Sequence, residues 1–438
     1  MKTIKSLCGM LVLLAFTACS NDSGEVVGND NHLWEVTLQA SMGDAATLRA
    51  LNAETDGKTI TACFTQYDKV VVVDADGSTI VGTLEAQTAG ASTTLSGLLN
   101  ASSLEVDETV TLRYLSATAN YDNQDGTLDG IAAHQDYAEE TLTVSTTDPL
   151  TFTSNSVTLK SKQSITKFKF TDGTNPINVT TFGIAAEGLV QSIAKNGTET
   201  VGAVTGTLSP ASSEVYVALR NKESGTKTYS FTIQDEDGNW YMFEKNAILA
   251  NGKNYAVTVT LPTKLPTLSN TDEEGTIGVI DDLPAIVVDL GGTIGKKAVA
   301  LMNAGALCPE HYGEYYTYAE QSSAVSGGWY VPTQAELTAL SSKSKEWVTR
   351  NGVNGSKFTI GSVDLFLPAA GYYDTDDTPG FASVSTYGYY WSSTDAKIAD
   401  YVVILNFWAT NAASMDSSIN KKHGLSVRPF HSTAEAAP

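Results

Sequence analysis

The chain has 438 residues, 42% of them hydrophobic, and a formal charge of −22 at neutral pH from 49 acidic and 27 basic side chains. Such an excess of negative charge repels phosphate backbones, which excludes nucleic acid as a partner, and it keeps copies of the chain soluble and apart. The length allows two or three domains, and plentiful Gly, Ser, Thr, Val and Tyr with few helix-period runs predict a mainly β protein.

Residues 1–18 are an address rather than a fold. Lys2 and Lys5 form a positive start, residues 7–16 an apolar stretch too short to span a bilayer, and Thr17-Ala18 a small-residue approach to Cys19. Lys2 and Lys5 are the only charges here, so the remainder carries −24. The pattern resembles a bacterial lipoprotein signal, although Phe16 stands where Leu is usual. It implies cleavage before Cys19 and acylation there, each buried CH₂ adding roughly 0.8 kcal/mol of anchoring. The polar, glycine-rich 19–32 that follows suits a flexible tether, and its acidic residues resemble the surface-export signals of Bacteroidetes lipoproteins. With Cys8 removed and Cys19 acylated, only Cys63 and Cys308 remain, in different expected domains, so no disulfide framework is available.

From Leu33 the chain reads as strands and turns. Trp34, Val36, Leu38 and Ala40 alternate with polar residues, residues 70–73 form a buried-strand run, and Asp76-Gly77 turns the chain back. A long polar passage, 119–128, precedes a second β region in which 165–170, 215–219, 229–233, 240–243 and 255–261 carry strand patterns. Two sandwiches in series are expected, 33–148 and 149–262. Several blocks then become familiar: Asp68-Lys69-Val70, Thr94-Leu95-Ser96-Gly97, Gln124-Asp125-Gly126-Thr127, residues 164–170 and Asn251-Gly252-Lys253-Asn254-Tyr255. Together they resemble the fimbrillin-like lipoproteins of Bacteroidales. That resemblance implies two transthyretin-like β-sandwiches, export to the outer membrane surface on a lipid anchor, and assembly into a fimbria by strand addition. In such assembly a protease cuts after an arginine, the first strand leaves, and a segment of a stalk subunit fills the groove. Arg49-Ala50, behind the alternating 34–40 strand, stands where that maturation cut is expected.

A proline-marked joint and acidic residues predict a linker at 263–275. The following domain, 276–431, is richer in aromatics. Its Gly327-Gly328-Trp329-Tyr330-Val331-Pro332-Thr333 ends in Thr-x-x-Glu, with Glu336 as partner, the signature of a capped helix whose Leu337 and Leu340 face a core. A further block precedes it at 313–318, and others follow at 366–372, 388–394, 405–407 and 426–429. The set resembles the Fibrobacter succinogenes major paralogous domain, FISUMP, and implies a compact C-type-lectin-like α+β fold of bacterial surface proteins.

A lectin-like fold does not make a lectin. The domain lacks Glu-Pro-Asn, Gln-Pro-Asp and Trp-Asn-Asp, so no metal or other cofactor is expected; Asp374, Asp376 and Asp377 read first as turn formers, with a calcium-binding loop as the lesser alternative. Sulfatase-modifying enzymes of related fold use paired cysteines, whereas Cys308 stands alone here. The five histidines lack metal spacing and no serine sits in Gly-x-Ser-x-Gly, so no enzyme is expected. Aromatics remain: Tyr372, Tyr373, Phe381, Tyr387, Tyr389, Tyr390 and Trp408 are dense, and exposed rings stack on sugars or dock in protein pockets. The expected ligand-binding residues are Tyr372, Tyr373, Asp374, Asp376, Asp377, Phe381 and Tyr389, with Trp391 and Phe407 as core. The sequence reading is therefore an accessory or tip fimbrial adhesin that meets a host or bacterial surface glycan or protein. The competing reading is a monomeric, non-fimbrial surface lipoprotein that binds a glycan or protein.

Overall fold

A computed structural model describes residues 33–43, 52–53, 60–77, 79–115, 119–269, 271–376, 379–396 and 399–432. Cys19, Arg49, Ala50 and Asp377 lie outside the described residues. The protein is mainly β, and its strands form three successive bodies with separate apolar cores.

The first body is organised around β1 (Leu33–Met42). Val36, Leu38 and Ala40 are buried while Glu35, Thr37 and Gln39 face solvent, as the two-residue period of a strand demands. β2 (Lys69–Val73), β3 (Ile80–Ala86), β4 (Ser92–Asn100), β5 (Thr109–Leu115), β6 (Tyr137–Thr147), β7 (Leu150–Phe152) and β8 (Ser156–Ser161) complete one sheet. β1 lies antiparallel to β4, from Leu33 opposite Asn100 to Ser41 opposite Ser92, and parallel to β8, with Gln39 opposite Ser156. Because β8 also pairs with β6 through Lys160 and Ser161, the hydrogen bonding returns to its start and the sheet closes around its core. Where two facing sheets are expected, a continuous ring forms, and β8 belongs to it although it lies beyond the expected boundary at 148/149.

The expected boundary is crossed in the other direction too. Tyr121, Ile131 and Tyr137 pack into the core of the second body. The polar passage that carries Tyr121 is held by Gln124, 1% exposed, whose amide donates to Ala218 O at 2.9 Å and accepts from Ala218 N at 2.9 Å. This side chain completes a strand of the second body as a neighbouring backbone would, which is how a polar loop lies buried without an unpaired group. The second body itself is two sheets. One contains Leu189–Ile193, Glu214–Asn221, Ser164–Thr171 and Asn254–Thr260; the other contains Val204–Ser212, Val179–Ala185, Lys227–Asp235 and Trp240–Ala247. Phe168, Phe182, Phe231 and Val217 fill the space between them.

The third body opens with Ile277–Ile280, Leu283–Asp289 and Lys296–Ala300, which pair with the closing strand Phe430–Ser432 and with Trp329–Tyr330. Its ends are therefore neighbours in one sheet. The helix Gln334–Ser341 starts at Thr333, whose hydroxyl accepts from Glu336 N while the Glu336 carboxylate accepts from Thr333 N at 2.8 Å. The Tyr330 hydroxyl also donates to Glu336, and Leu337 and Leu340 are fully buried. The helix packs on the three-stranded sheet at 387–420, and a second three-stranded sheet, 345–368, contributes Phe358, Ile360, Leu365 and Leu367 to the same core.

The expected linker is largely packed. Leu265 N donates to Trp240 O, Leu268 N donates to Val279 O, and Leu268 is buried in the third body. Trp240 crosses the other way: its ring lies in the third core and its Nε1 donates to Asp282 O at 2.9 Å. Behind this seam a Cβ on Gly183 would stand 2.6 Å from Cys308 Cβ, so only glycine allows the two bodies to approach so closely. Asp122 and His311 Nε2 meet at 2.9 Å across the same contact. Burial alone would raise the Asp122 carboxyl, but His311 and the Thr205 hydroxyl outweigh it and hold it below its ordinary value.

Candidate functional site

The aromatic loops expected to bind a ligand form one face of the third body. Tyr372–Asp374 and Gly380–Ala382 pair as a small hairpin, with Tyr373 opposite Phe381. Gly371 enters it with φ 66°, and a Cβ there would lie 2.2 Å from Ala382 O, so the chain turns here only because the residue is glycine. On its other side the hairpin is tied to the 421–424 turn, Tyr373 N donating to Gly424 O at 2.8 Å and Gly424 N to Tyr373 O at 2.9 Å.

Two aromatic groups emerge from this frame. Phe381 is 67% exposed and lies against Tyr373 at 5.2 Å and Tyr315 at 5.1 Å. The second group is a row: His423 meets the edge of Tyr372, Tyr372 the edge of Tyr389, Tyr389 stacks on Tyr387 at 5.8 Å, and Tyr387 tilts against Trp408. Burial, with Tyr387 and Tyr372 adjacent, pushes the Tyr389 phenol up to about 12, so it stays a hydrogen-bond donor at neutral pH. Rings half in water with polar edges suit a sugar face or a protein pocket.

Of the residues singled out by sequence, the structure brings together Tyr372, Tyr373, Asp374, Asp376, Phe381 and Tyr389. Tyr390 is separate: it is fully buried and its hydroxyl donates to Pro368 O. Trp391 and Phe407 are also fully buried. Asp374 and Asp376 do make turn contacts, since Asp376 N donates to Asp374 Oδ1 at 2.9 Å. They also face charges that sequence reasoning missed. Lys422 grips Asp376 and keeps its carboxyl below the ordinary value, and His423 lies between the two aspartates. Tyr315 was missed as well. It sits far from the hairpin in sequence, so only the fold unites them.

Comparison with known proteins gives limited matches. A family called a domain of unknown function, DUF8237, matches residues 360–430, inside the stretch where the FISUMP resemblance was seen. No curated protein matches the chain. Among solved structures, a candidate cell adhesion protein from Bacteroides ovatus is 15% identical with a TM-score of 0.28, over 52% of this chain and 95% of that one. The tip fimbrial protein Mfa3 from Porphyromonas gingivalis is 9% identical with a TM-score of 0.23, over 49% and 81%. The shaft pilin SpaA from Lactobacillus rhamnosus GG is 14% identical with a TM-score of 0.23, over 53% and 100%. At these scores none bears on the reading below, which starts from strand pairing.

Proposed function

We propose that the chain is a fimbrillin-like surface lipoprotein, acylated at Cys19 on the outer membrane, that joins a fimbria as an accessory or tip subunit. Maturation between Arg49 and Ala50 releases β1, and a strand of a stalk subunit takes its place. The third body, lectin-like in fold, then presents the Tyr372, Tyr373, Phe381 and Tyr389 face to a host or bacterial glycan or protein.

The observation that carries this reading is the position of β1, which lies between β4 and β8 and precedes the expected cut. Its departure would expose the facing edges of β4 and β8. Strands pair at about 4.8 Å, so the slot would be roughly 9.6 Å wide and would admit one strand. The sockets left by Val36, Leu38 and Ala40 call for a donor with two larger apolar residues and one small residue at every second position. At the other end, Phe430–Ser432 is paired on both sides, with Lys296–Ala300 and Trp329–Tyr330, so it is not free to act as a donor. The subunit would accept a strand without offering that one.

Strand exchange tests this. The chain cleaved after Arg49 is expected to take up a fluorescent peptide of sequence 33–42, while the uncleaved chain does not. Equal uptake by both forms, or none by either, would sink the proposal. For the face, alanine at Tyr373 and Phe381 is expected to abolish glycan or cell binding while the melting temperature holds. Unchanged binding would remove those residues from the site.

A further inference from the structure

The polar corner beside the aromatic row has its own chemistry. The geometry points to a divalent transition-metal site, of the kind that holds zinc, formed by Asp374, Asp376 and His423.

The three ligand atoms lie within 4.8 Å of one another. His423 presents Nδ1 to Asp374 Oδ1 at 3.4 Å and Nε2 to Asp376 Oδ2 at 3.9 Å, both beyond hydrogen-bond length. Its Nδ1 is shut off from solvent and has no hydrogen-bond partner. A buried, unpaired nitrogen is costly unless something else fills its lone pair. Two ligands about 2.0–2.1 Å from a tetrahedral ion stand roughly 3.4 Å apart, which is the spacing of Nδ1 and Oδ1 here. The mixture of one imidazole and two carboxylates suits zinc-like ions better than calcium, which takes oxygen ligands.

The surroundings hold the donors for this task. The edge of Tyr372 packs against the imidazole, the paired Tyr373 and Gly424 backbones lock the hairpin to the turn, and the Thr375 hydroxyl donates to Lys422 O. Asp376 occupies the exposed side, where the Lys422 ammonium contacts it. That ammonium is a resident competitor: the metal displaces it, and Asp376 turns to complete the third bond. Three protein ligands leave a tetrahedral ion one open position for water or a ligand oxygen.

Titration of the full chain, purified without a histidine tag, with Co²⁺ followed by Zn²⁺ competition tests the assignment. One equivalent is expected, with visible ligand-field absorption that zinc abolishes. Asp374→Asn and His423→Gln should each weaken binding at least about tenfold, since even outer-shell changes at metal sites typically cost that much. Lys422→Ala should tighten binding, whereas His431→Gln, a control outside the corner, should leave it unchanged. Metal-free melting curves matching the parent confirm that each variant is folded. No stoichiometric binding by the parent, calcium bound in preference to zinc, or binding retained in both folded ligand variants would overturn the site.

Discussion

β1 and Phe430–Ser432 are both strands with a partner on each side, yet they are held by different means. β1 contributes three buried apolar side chains to a ring that encloses its own core, with Trp34 and Met42 packed half-buried beside them; Gln39 donates to the Thr94 hydroxyl, Ser41 and Thr158 share a hydrogen bond, and the rest are ladder hydrogen bonds that another extended chain could supply. Phe430–Ser432 is short but rooted: Phe430 is fully buried, Arg428 just before it donates to Ala300 O and Phe366 O, and His431 reaches Asp281 at 3.0 Å. A strand held by a backbone ladder and by apolar sockets that any alternating strand can fill is exchangeable in kind. One held by specific side chains is not.

Breaking this comparison begins with its largest effect. Removing 33–42 should cost the first body roughly 5 kcal/mol or more, from burial of about 1.5–3 kcal/mol per large apolar side chain plus the ladder. Added 33–42 peptide should restore the loss, seen as recovered hydrogen-exchange protection in β4 and β8. Phe430→Ala should cost the third body about 3–5 kcal/mol in denaturant melts, and a peptide spanning 426–432 should not rescue it. Rescue there would erase the distinction between the strands.

Smaller changes sharpen it. Gln124→Ala strands the buried Ala218 N–H and C=O and should cost about 1–3 kcal/mol for each lost partner, loosening the second body while leaving β1 protected. Thr333→Ala should lower third-body stability by about 1 kcal/mol through loss of the cap. The smallest effect is on pH. Asp122 has its folded value below the ordinary 3.8, so its contribution is complete above that value and is lost as pH falls through the lower folded value. Exchange protection at the seam beside His311 should therefore fall below about pH 4, and Asp122→Asn should flatten that dependence.

What could be read from the residues follows from range. The alternation of β1 and the Thr333–Glu336 box are local and stand as expected. The closing of the first sheet depends on a parallel pairing of Gln39 with Ser156, more than a hundred positions away, and no local pattern announces it. Gln124 reads as loop because it is polar; its burial is offset by hydrogen bonds to Ala218, which only the assembled second body provides. The site divides similarly. Tyr372 to Phe381 are close in sequence and visible as an aromatic cluster, whereas His423 arrives through the Tyr373–Gly424 pairing, without ligand spacing to mark it.

The most direct measurement is the first residue of the chain recovered from fimbriae on the producing cells. Exchange of β1 predicts Ala50 as that residue, with 33–42 absent and a stalk segment protected in its place. A fimbria-borne chain that still begins at Cys19 and keeps β1 paired with β4 and β8 would contradict it.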